Sequence, residues 1–500
     1  LALATVIGAV AVWVFFFYNS NPVPAEGMNY VLEVQTPWFA LIGASWHVGI
    51  DGISATMVLL TGILVPLAII ISFEITERVS MHMALLLLFE TGLLGVFVAQ
   101  DMLIFFLFYE LSLVPMYFII NQWGGPNRKY ASTKFFIYSV GGSLGMLLAT
   151  QLIGWSAGTF DIPTLVSRTA ANSWVNFQGT DGAFLGIGVE TVKALAFLGF
   201  FVAFAIKVPI WPFHTWLPDA HGEAPTAGSM LLAGVMLKLG AYGFLRLAIP
   251  LFPDVWVAPI NILGVIQTNW AGIFAFLAVV SIVLGAFSAF AQNDIKRLVA
   301  YSSVNHMGFV AIGLAVAALA YGQSFMTGAV GDMQSAIIAT NGAVLQMFNH
   351  GLSSAAMFLL AGAIYHKTHT RDMTQYGGFW VKAPSYGAIF IFTSMASLGL
   401  PGLNGFVSEF LVVRGTWPIY TGLTVVAMLG LLFTGGYILK GIRAVLHGPF
   451  NLKWRDTNLE IELREVIAIA PLLVLMLLTG LVPNWILTII NDSVTRWLGG

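Results

Sequence analysis

Long uninterrupted runs of apolar residues dominate the chain, and they lack the alternation of apolar and polar positions that marks half-buried strands. A window of about nineteen residues finds roughly thirteen such runs, each near the length that crosses a bilayer as an α-helix. Only helices and closed barrels satisfy every backbone polar group in lipid, so the pattern predicts an all-α polytopic membrane protein. The predicted spans are 1–18, 49–73, 80–99, 101–121, 132–154, 190–208, 225–247, 268–291, 297–319, 334–364, 383–411, 419–446 and 465–489.

The composition narrows the chemistry that the chain can carry. Of its 500 residues 58% are hydrophobic and 9% are charged, against about 25% charged in soluble domains. It has no cysteine, which excludes cysteine-ligated iron–sulfur clusters, covalent c-type haem and disulfides. The net charge of -2 argues against nucleic acid as a partner. No leader pattern is visible, so we expect the first apolar run to span the membrane rather than to be cleaved.

The basic residues alternate between the predicted loops and so predict an orientation. One set of alternate loops, with the span ends beside them, carries fourteen of the 21 lysines and arginines: Arg78, Arg128, Lys129, Lys134, Lys296, Arg297, Lys367, Arg371, Lys382, Lys440, Arg443, Lys453, Arg455 and Arg464. The other set carries Arg168, Lys193, Arg246, Arg414 and Arg496. Because cytoplasmic loops are enriched in basic residues, the first set is predicted to be cytoplasmic and the C-terminus to lie outside.

Two lysines, Lys207 and Lys238, belong to no loop. A charge at the centre of a bilayer costs at least ~2.5–3.5 kcal/mol, so each is predicted to face a wet or paired interior and to be functional. Acids and histidines also lie within predicted spans: Glu90, Glu110, His306, His350 and Glu409. Such groups on separate helices have the composition of a proton relay, because desolvation and neighbouring charges adjust their readiness to exchange protons.

Structural alternatives remain open for each of these residues. Glu110 and Lys207 can form a static ion pair that pins two helices, and Lys238 can play a purely structural role. His306 and His350 can each be a core histidine bonded to a helix carbonyl, or the two can be axial ligands of a b-type haem. Glu90 is the weakest functional candidate of the group.

Two predicted spans contain helix-breaking residues beside an ionisable side chain. Proline lacks the backbone N–H that a helix interior needs, so these segments are predicted to be broken helices. Paired breaks in two halves of a chain are typical of transporter repeats whose half-helices line an ion path. Five spans from 80 to 247 and five from 268 to 446 place each break in the fourth helix of its set. The breaking residues are Pro209 and Pro212 after Lys207, and Pro401, Gly402 and Gly405 before Glu409.

These segments are specific enough to indicate a family. The block KVPIWPFHTWLPDAHGEAPTAGSMLLAGVMLKLGAYGFLR (207–246), with NDIKRLVAYSSVNHMGF, NHGLSSAAMF, HTRDM and GLPGLNGFVSEF, closely resembles the chain M family of bacterial NADH:quinone oxidoreductase, complex I. Chain 4 of mitochondrial complex I is similar. The resemblance covers nearly the whole chain, from GIDGIS at Gly49 to the last span. Mrp-type cation/proton antiporter subunits and membrane hydrogenase subunits are related, and they supply the alternative function without NADH coupling.

The resemblance implies an antiporter-like bundle of fourteen helices with two inverted five-helix repeats. The expected divisions are N-terminal helices in 1–79, a first repeat in 80–247, a second in 268–446 and a C-terminal helix in 465–500. Since about thirteen spans are visible, we expect the family's first helix to be missing from the sequence as given. Two departures are Glu90, where the family is not expected to carry a carboxylate, and 322–337, which is longer than usual.

The resemblance also implies roles for the candidate residues. Glu110 and Lys207 would form a switching ion pair, and Lys238 would be the central relay. His306 and His350 would bridge Lys238 to an exit at Glu409 with water. The implied function is that of a proton-translocating membrane-arm subunit of a respiratory NADH:quinone oxidoreductase in the bacterial plasma membrane. We expect no cofactor in this chain; flavin, iron–sulfur clusters and quinone are expected in partner subunits, and the partners are other membrane-arm subunits, lipid, protons and internal water.

Overall fold

The computed structural model describes residues 1–20, 30–170, 183–184, 187–262, 264, 266–328 and 332–499. Helices dominate this part of the chain, which confirms the predicted all-α class. The strands form three antiparallel hairpins. Their bounds are Val31–Phe39 (β1) with Ala44–Ile50 (β2), Ala183–Phe184 (β3) with Ile187–Gly188 (β4), and Ile260–Ile262 (β5) with Ile266–Thr268 (β6).

The first group of helices precedes the hairpin β5–β6. Its members are Ala2–Ser20 (α1), Gly52–Ile71 (α2), Val79–Val98 (α3), Met102–Leu111 (α4), Leu113–Trp123 (α5), Arg128–Ala157 (α6), Ile162–Ala170 (α7), Val189–Lys207 (α8), Trp216–Glu223 (α9), Thr226–Leu231 (α10), Leu237–Gly243 (α11), Ile249–Leu251 (α12) and Pro253–Val257 (α13). Two π-helical segments, Leu232–Met236 and Phe244–Ala248, join α10, α11 and α12 into one continuous rod.

The second group of helices follows the hairpin β5–β6. Its members are Trp270–Ala291 (α14), Ile295–Thr327 (α15), Met333–Thr368 (α16), Pro384–Leu398 (α17), Asn404–Thr416 (α18), Thr421–Leu446 (α19), Leu463–Leu481 (α20) and Asn484–Trp497 (α21). Short 3₁₀ turns lie at Ala40–Ile42, Ser72–Glu74, Met373–Gln375, Phe379–Val381 and Leu452–Trp454. Helices α15 and α16, of 33 and 36 residues, are the longest described and carry both candidate histidines.

Among the described residues, eleven helices are long and apolar enough to cross a membrane, against about thirteen predicted spans. The predicted spans 190–208 and 383–411 have no counterpart among the eleven. The first corresponds to α8, and the second is divided between α17 and α18. The predicted span 465–489 also ends early, because α20 stops at Leu481 and the separate helix α21 begins at Asn484.

Both predicted helix breaks are confirmed. Residues 208–215 separate α8 from α9, and residues 399–403 separate α17 from α18. Pro209, Pro212 and Pro401 remove backbone donors in these two segments, which favours the end of the helix and a turn of the chain there. The inverted five-helix repeats and the four predicted divisions of the chain stay predictions.

Loops predicted to share a side of the membrane do meet in space at one end of the bundle, here called the basic end. Asp219, which follows the first break, pairs with Lys134 at 2.7 Å and with Arg297 at 2.6 Å. Lys367, in the last turn of α16, pairs with Glu465 at the start of α20 at 2.8 Å. Charges from five separate segments therefore gather at the basic end, as the alternation of loops requires.

Segments of the other predicted side meet at the opposite end. Ser493 of α21 accepts from the backbone N–H of Gly52 at 2.7 Å, and its hydroxyl lies 3.0 Å from that of Tyr18. One assignment is corrected: Arg246 was predicted among the loop charges of this side, but it lies inside the rod of α10–α12 and is 3% exposed. It is ion-paired with Asp51 rather than solvated.

Candidate functional site

Lys238 lies at the centre of the bundle, on α11 between the two π-helical segments. Its side chain is 0% exposed. The ammonium donates to the carbonyl oxygen of Ala233, 2.5 Å away in the preceding π segment, and contacts Nδ1 of His350 at 2.9 Å. π-Helical segments often lie at functional sites because they change the direction in which side chains and carbonyls point. Here the local backbone and a neighbouring helix together hold the lysine.

His350, on α16, continues the line of contacts away from Lys238. Because an ammonium can only donate, Nδ1 of His350 accepts, and Nε2 therefore carries the hydrogen of the neutral ring. Nε2 lies 3.2 Å from Oγ of Ser303, on α15. The ring of His306, one turn further along α15, has its centroid 5.6 Å from that of His350. The imidazole of His350 therefore contacts Lys238 through one nitrogen and α15 through the other.

His306 and Glu409 form a direct pair. Nδ1 of His306 lies 2.9 Å from Oε1 of Glu409, and both side chains are buried. The carboxylate accepts, so Nδ1 of His306 donates and Nε2 faces the hydroxyl of Tyr437 at 3.4 Å. Lys238, His350, His306 and Glu409, called below the contact series, therefore come from four helices. Lys238 contacts His350 and His306 contacts Glu409 directly, and the two histidine rings lie beside each other between these contacts.

The break between α17 and α18 supports the last member of the series. Gly399 has φ +82°, and a Cβ added there would stand 2.9 Å from Oε2 of Glu409. Only glycine fits this backbone without strain, and it leaves room for the carboxylate. Gln346 donates to Oε1 of Glu409 at 3.3 Å and accepts from Ser408 at 2.5 Å. The break and these two polar side chains fix where the carboxylate lies.

Glu110 and Lys207 are not brought together in the same way. Within the described part of the chain, Nζ of Lys207 and Oε1 of Glu110 have no hydrogen-bond partner, and no ion pair within 4.0 Å joins the two residues. The ammonium lies 4.6 Å from the ring centroid of Tyr109 instead. Neighbouring residues on a helix point about 100° apart, so a lysine over Tyr109 does not face Glu110. A direct ion pair between Glu110 and Lys207 is thus absent. The two charged groups still lie close enough to each other to interact through space.

Glu90 is buried in α3 with 1% exposure, and neither carboxylate oxygen has a hydrogen-bond partner among the described residues. The contact series does not include it. Burial of an unpartnered carboxyl group is costly, so it is expected to be held protonated or to meet water inside the bundle.

Sequence reasoning missed several residues near the series. Ser303, Gln346 and Tyr437 are short-range hydrogen-bond partners of its members and carry no sequence signal of their own. His221 is 0% exposed, and its ring stacks on that of Phe358 with centroids 4.3 Å apart. The block HTWLPDAHGEAP, which contains His221, is the signal that could have drawn attention to it.

The arrangement favours proton transfer over metal or haem binding. The four ring nitrogens of His306 and His350 all face hydrogen-bonding groups, which leaves none directed at an iron atom. In the described part of the chain, no cluster of three or more histidine and carboxylate side chains is arranged to hold a metal ion. A buried line of ammonium, imidazole and carboxylate groups can pass protons by successive hydrogen-bond donations.

The fold and the site define a polytopic, antiporter-like membrane protein with a buried line of ionisable side chains. Residues 99–434 match the family described as NADH:quinone oxidoreductase/Mrp antiporter, TM. The chain is 40% identical over 483 residues to NADH-quinone oxidoreductase subunit M of Rhodobacter capsulatus, which covers 96% of this chain and 86% of that protein. It is 39% identical over 471 residues to the protein of that name in Escherichia coli (strain K12), covering 92% and 84%.

Comparisons with solved structures point to the same family as the sequence comparisons. A chain of respiratory complex I from Thermus thermophilus with bound NADH superposes with a TM-score of 0.80 at 27% identity, covering 100% of this chain and 95% of that one. A chain of the Mrp complex from Dietzia sp. DQ12-45-1b gives a TM-score of 0.77 at 19% identity, covering 100% and 91%, which shows the shared fold alone. The chain belongs to the NADH:quinone oxidoreductase/Mrp antiporter family.

Proposed function

We propose that this chain is the proton-translocating, antiporter-like membrane-arm subunit of a respiratory NADH:quinone oxidoreductase. The observation that carries the proposal is the contact series. It begins at an ammonium in the middle of the bundle and ends at a carboxylate beside a helix break, with all four side chains at least 97% buried. Buried ionisable groups of this kind are expensive in a membrane, and proton transfer gives them a use that packing alone does not. The nearly full-length similarity to subunits named M supports the same assignment.

Two of the three transfers in the proposed route follow a direct contact, from Lys238 to His350 and from His306 to Glu409, and the step between joins two rings whose centroids lie 5.6 Å apart. Lys238 gives a proton to Nδ1 of His350, and the hydrogen on Nε2 of that ring leaves toward Ser303 and His306. His306 takes a proton at Nε2 and gives one from Nδ1 to Glu409. Each histidine thus receives at one nitrogen and gives at the other, so the rings return to their starting tautomers by turning or by a further exchange.

The proposed driving step is electrostatic and involves Glu110 and Lys207. With the carboxylate of Glu110 near Lys207, the positive charge of that lysine is compensated. When the two separate, the uncompensated ammonium repels the proton on Lys238 and favours its departure to His350. The absence of a direct pair corresponds to the separated arrangement of such a switch. The step has to work against a membrane potential that costs ~2.3 kcal/mol per charge per 100 mV.

The remaining parts of the assignment come from the sequence and the relatives. The basic end is taken as cytoplasmic, which places the C-terminus and the Glu409 exit toward the outer face of a bacterial plasma membrane. Other membrane-arm subunits are the proposed partners. Flavin, iron–sulfur clusters and quinone are assigned to the rest of the complex.

The test is proton uptake by sealed inverted vesicles that contain the assembled complex. Lys238→Met should lower NADH-driven uptake per NADH oxidised, because it removes the first donor of the contact series. Lys453→Met removes a lysine that is exposed at the basic end and serves as the matched control. Unchanged uptake in the Lys238 variant at normal assembly would refute the relay.

The alternative is a cation/proton antiporter subunit without redox coupling, which the family description includes. It makes a different prediction in the same vesicles. An imposed Na⁺ gradient, with no NADH present, should then drive proton movement that depends on Lys238. Movement driven by NADH oxidation alone favours the respiratory assignment.

A further inference from the structure

A second buried charge cluster lies between Lys238 and the end of the bundle opposite the basic end. The rod of α10–α12 begins beside the basic-end residues of α9 and runs to the opposite end, so Arg246 lies eight residues, or about 12 Å, beyond Lys238. Tyr242 is halfway between them, and the guanidinium carbon of Arg246 lies 5.1 Å from its ring centroid. Any direct path from Lys238 to the opposite end along this rod therefore meets Tyr242 and Arg246.

The cluster is anchored to α2. Asp51, the residue before α2, pairs with the guanidinium of Arg246 and accepts from the backbone N–H of Ser54 at 2.8 Å. Asp51, Ser54, Tyr242 and Arg246, here called the arginine cluster, are all at least 96% buried. Among the described residues, Nε and Nη1 of Arg246 have no hydrogen-bond partner. The guanidinium thus keeps unsatisfied donors, together with a charge that arginine does not lose in proteins.

The hydrogen bonds in the cluster have one direction. Tyr242 has a single hydroxyl hydrogen and donates it to the carbonyl oxygen of Phe97 at 2.9 Å. Ser54, whose Oγ lies 2.8 Å from that hydroxyl, must then donate to Tyr242, and it accepts from Nη2 of Arg246 at 3.2 Å. The chain of donations begins at a guanidinium and ends at a peptide carbonyl. Neither end exchanges protons readily, so the chain is unsuited to carry a proton past Lys238.

We propose that the arginine cluster is a proton barrier that closes the short path from Lys238 to the opposite face, so that protons leave Lys238 only through His350. This inference rests on the proposed function and adds a route-determining role for Arg246 and Asp51. A fixed positive charge with oriented donors is a known physical means of excluding protons from a pore. Asp51 compensates the charge enough for it to be buried, since a lone guanidinium at this depth would be far more costly.

The experiment measures the passive collapse of an imposed pH gradient across sealed vesicles that contain the assembled complex, with no NADH present. Changing Arg246 alone would leave Asp51 buried without a partner, so the main variant is the neutral pair Asp51→Asn/Arg246→Met. Loss of the guanidinium charge and its donors from the path, together with the charge of its partner Asp51, should speed the collapse at least about tenfold relative to the parent, given what a charge in the membrane interior costs. Adding Lys238→Met should return the rate to that of the parent.

If the pH gradient collapses no faster in the neutral-pair variant than in the parent, the barrier is refuted. Asp51 and Arg246 would then serve only to hold α2 against the rod. Extra leak that survives Lys238→Met would also overturn it, because the protons would then bypass Lys238. If the methionine pair does not assemble, Asp51→Asn/Arg246→Gln takes its place in the same measurement. Because the leak is measured without turnover, its result is separate from the NADH-driven test of Lys238→Met, which alone decides the proposed function.

Discussion

Two groups of ionisable residues within the bundle differ in how closely their members touch: the contact series, and Glu110 with Lys207, called below the Glu110 group. In the contact series, side chains from α11, α16, α15 and α18 meet at hydrogen-bond distances at both ends. In the other group, Glu110 and Lys207 lie without a direct pair, and the lysine is over the ring of Tyr109. Both groups stand beside a broken helix, so the break alone does not decide whether neighbouring charges touch.

The difference suggests a division of labour within the proposed function. Residues that pass protons need stable hydrogen-bond geometry, because a transfer step fails when donor and acceptor are far apart. Residues that act through their field need freedom to approach and separate, because a pair that never opens changes nothing. The contact series fits the first requirement, and Glu110 with Lys207 fits the second.

Lys238→Arg should give the largest effect. Arginine keeps the positive charge but stays protonated, so it cannot pass its proton to His350. Loss of a proton-transferring group slows the step by about a hundredfold or more, so NADH-driven proton uptake through this chain should nearly cease. The measurement is uptake per NADH oxidised in sealed vesicles, with Lys453→Arg as the control. Near-normal uptake would mean that a fixed charge is sufficient. Lys238 would then act through its electric field, as is proposed for Glu110 and Lys207.

Glu409→Gln should have the next largest effect, since it removes the acceptor at the end of the contact series. Glutamine keeps the shape and the contact with His306 but cannot take up and release a proton, so transfer should fall by about tenfold or more. Glu409→Asp keeps the charge and loses only reach, and should retain most of the activity. The two variants are compared by proton uptake normalised to electron transfer. Equal uptake by the glutamine variant and the parent would leave Glu409 as a structural acid.

Glu110→Gln should have a smaller effect, because it weakens a field without breaking a contact. The variant removes the negative charge that compensates Lys207 and leaves the contact series intact. Coupling between sites is typically at least about fivefold, so uptake per NADH should fall by about that factor with assembly unchanged. Glu90→Gln is the control, an acid on the neighbouring helix α3 that belongs to neither group. Full uptake in the Glu110 variant would remove the switch from the mechanism.

The sequence predicts the parts of this site that are strongly constrained by the membrane. A lysine, a histidine or an acid inside an apolar run is visible without a structure, as are the prolines that break α8 and α17. The order Lys238, His350, His306, Glu409 follows from the resemblance and matches the contacts. The predicted sidedness of the loops also agrees with the ion pairs at the basic end.

Details that depend on the direction of side chains were not predicted. Arg246 lies one residue from the end of a predicted span, so the pattern could not tell a loop charge from a buried one. Whether Glu110 faces Lys207 depends on rotation about two helix axes, which hydropathy does not report. The count of spans differs for a related reason, since a segment made of two short helices, such as 383–411, has the composition of one long one.

The smallest predicted effect concerns the hairpin β1–β2, in which β2 packs against α2, α3 and α4, and α4 carries Glu110. Ser45 of β2 donates its backbone N–H to Asp101 at 3.0 Å, and Asp101 caps α4, the helix that carries Glu110. His47 of the same strand lies between two carboxylates, with Nδ1 2.6 Å from Asp161 and Nε2 2.9 Å from Glu33. The charge state of His47 therefore bears on a hairpin attached to the helix of Glu110, and none of these contacts involves a member of the contact series.

Burial by itself lowers the pKa of His47, but its hydrogen bonds to Asp161 and Glu33 outweigh burial and raise that pKa above its ordinary value. For Asp161, burial raises the pKa, but the hydrogen bonds from His47 and Thr164 outweigh burial and lower that pKa below its ordinary value. The histidine's contribution to stability is complete below about pH 6.5 and is lost as the pH rises through its raised pKa. The carboxylate's contribution is complete above about pH 3.9 and is lost as the pH falls through its lowered pKa.

The attachment of the hairpin should therefore be strongest between about pH 4 and pH 6.5 and should weaken at higher pH. Hydrogen exchange of the β1–β2 amides at about pH 6 and about pH 9, corrected for the intrinsic rate, should show a loss of protection at the higher pH. Hairpin β5–β6, whose strands contain no histidine, is the internal control. In His47→Gln the extra pH dependence of β1–β2 should vanish, because no imidazolium remains to lose its proton. Equal pH dependence of the two hairpins in the parent would mean that the charge of His47 does not hold hairpin β1–β2 in place. The hairpin would then give no pH-dependent support to α4, the helix that carries Glu110.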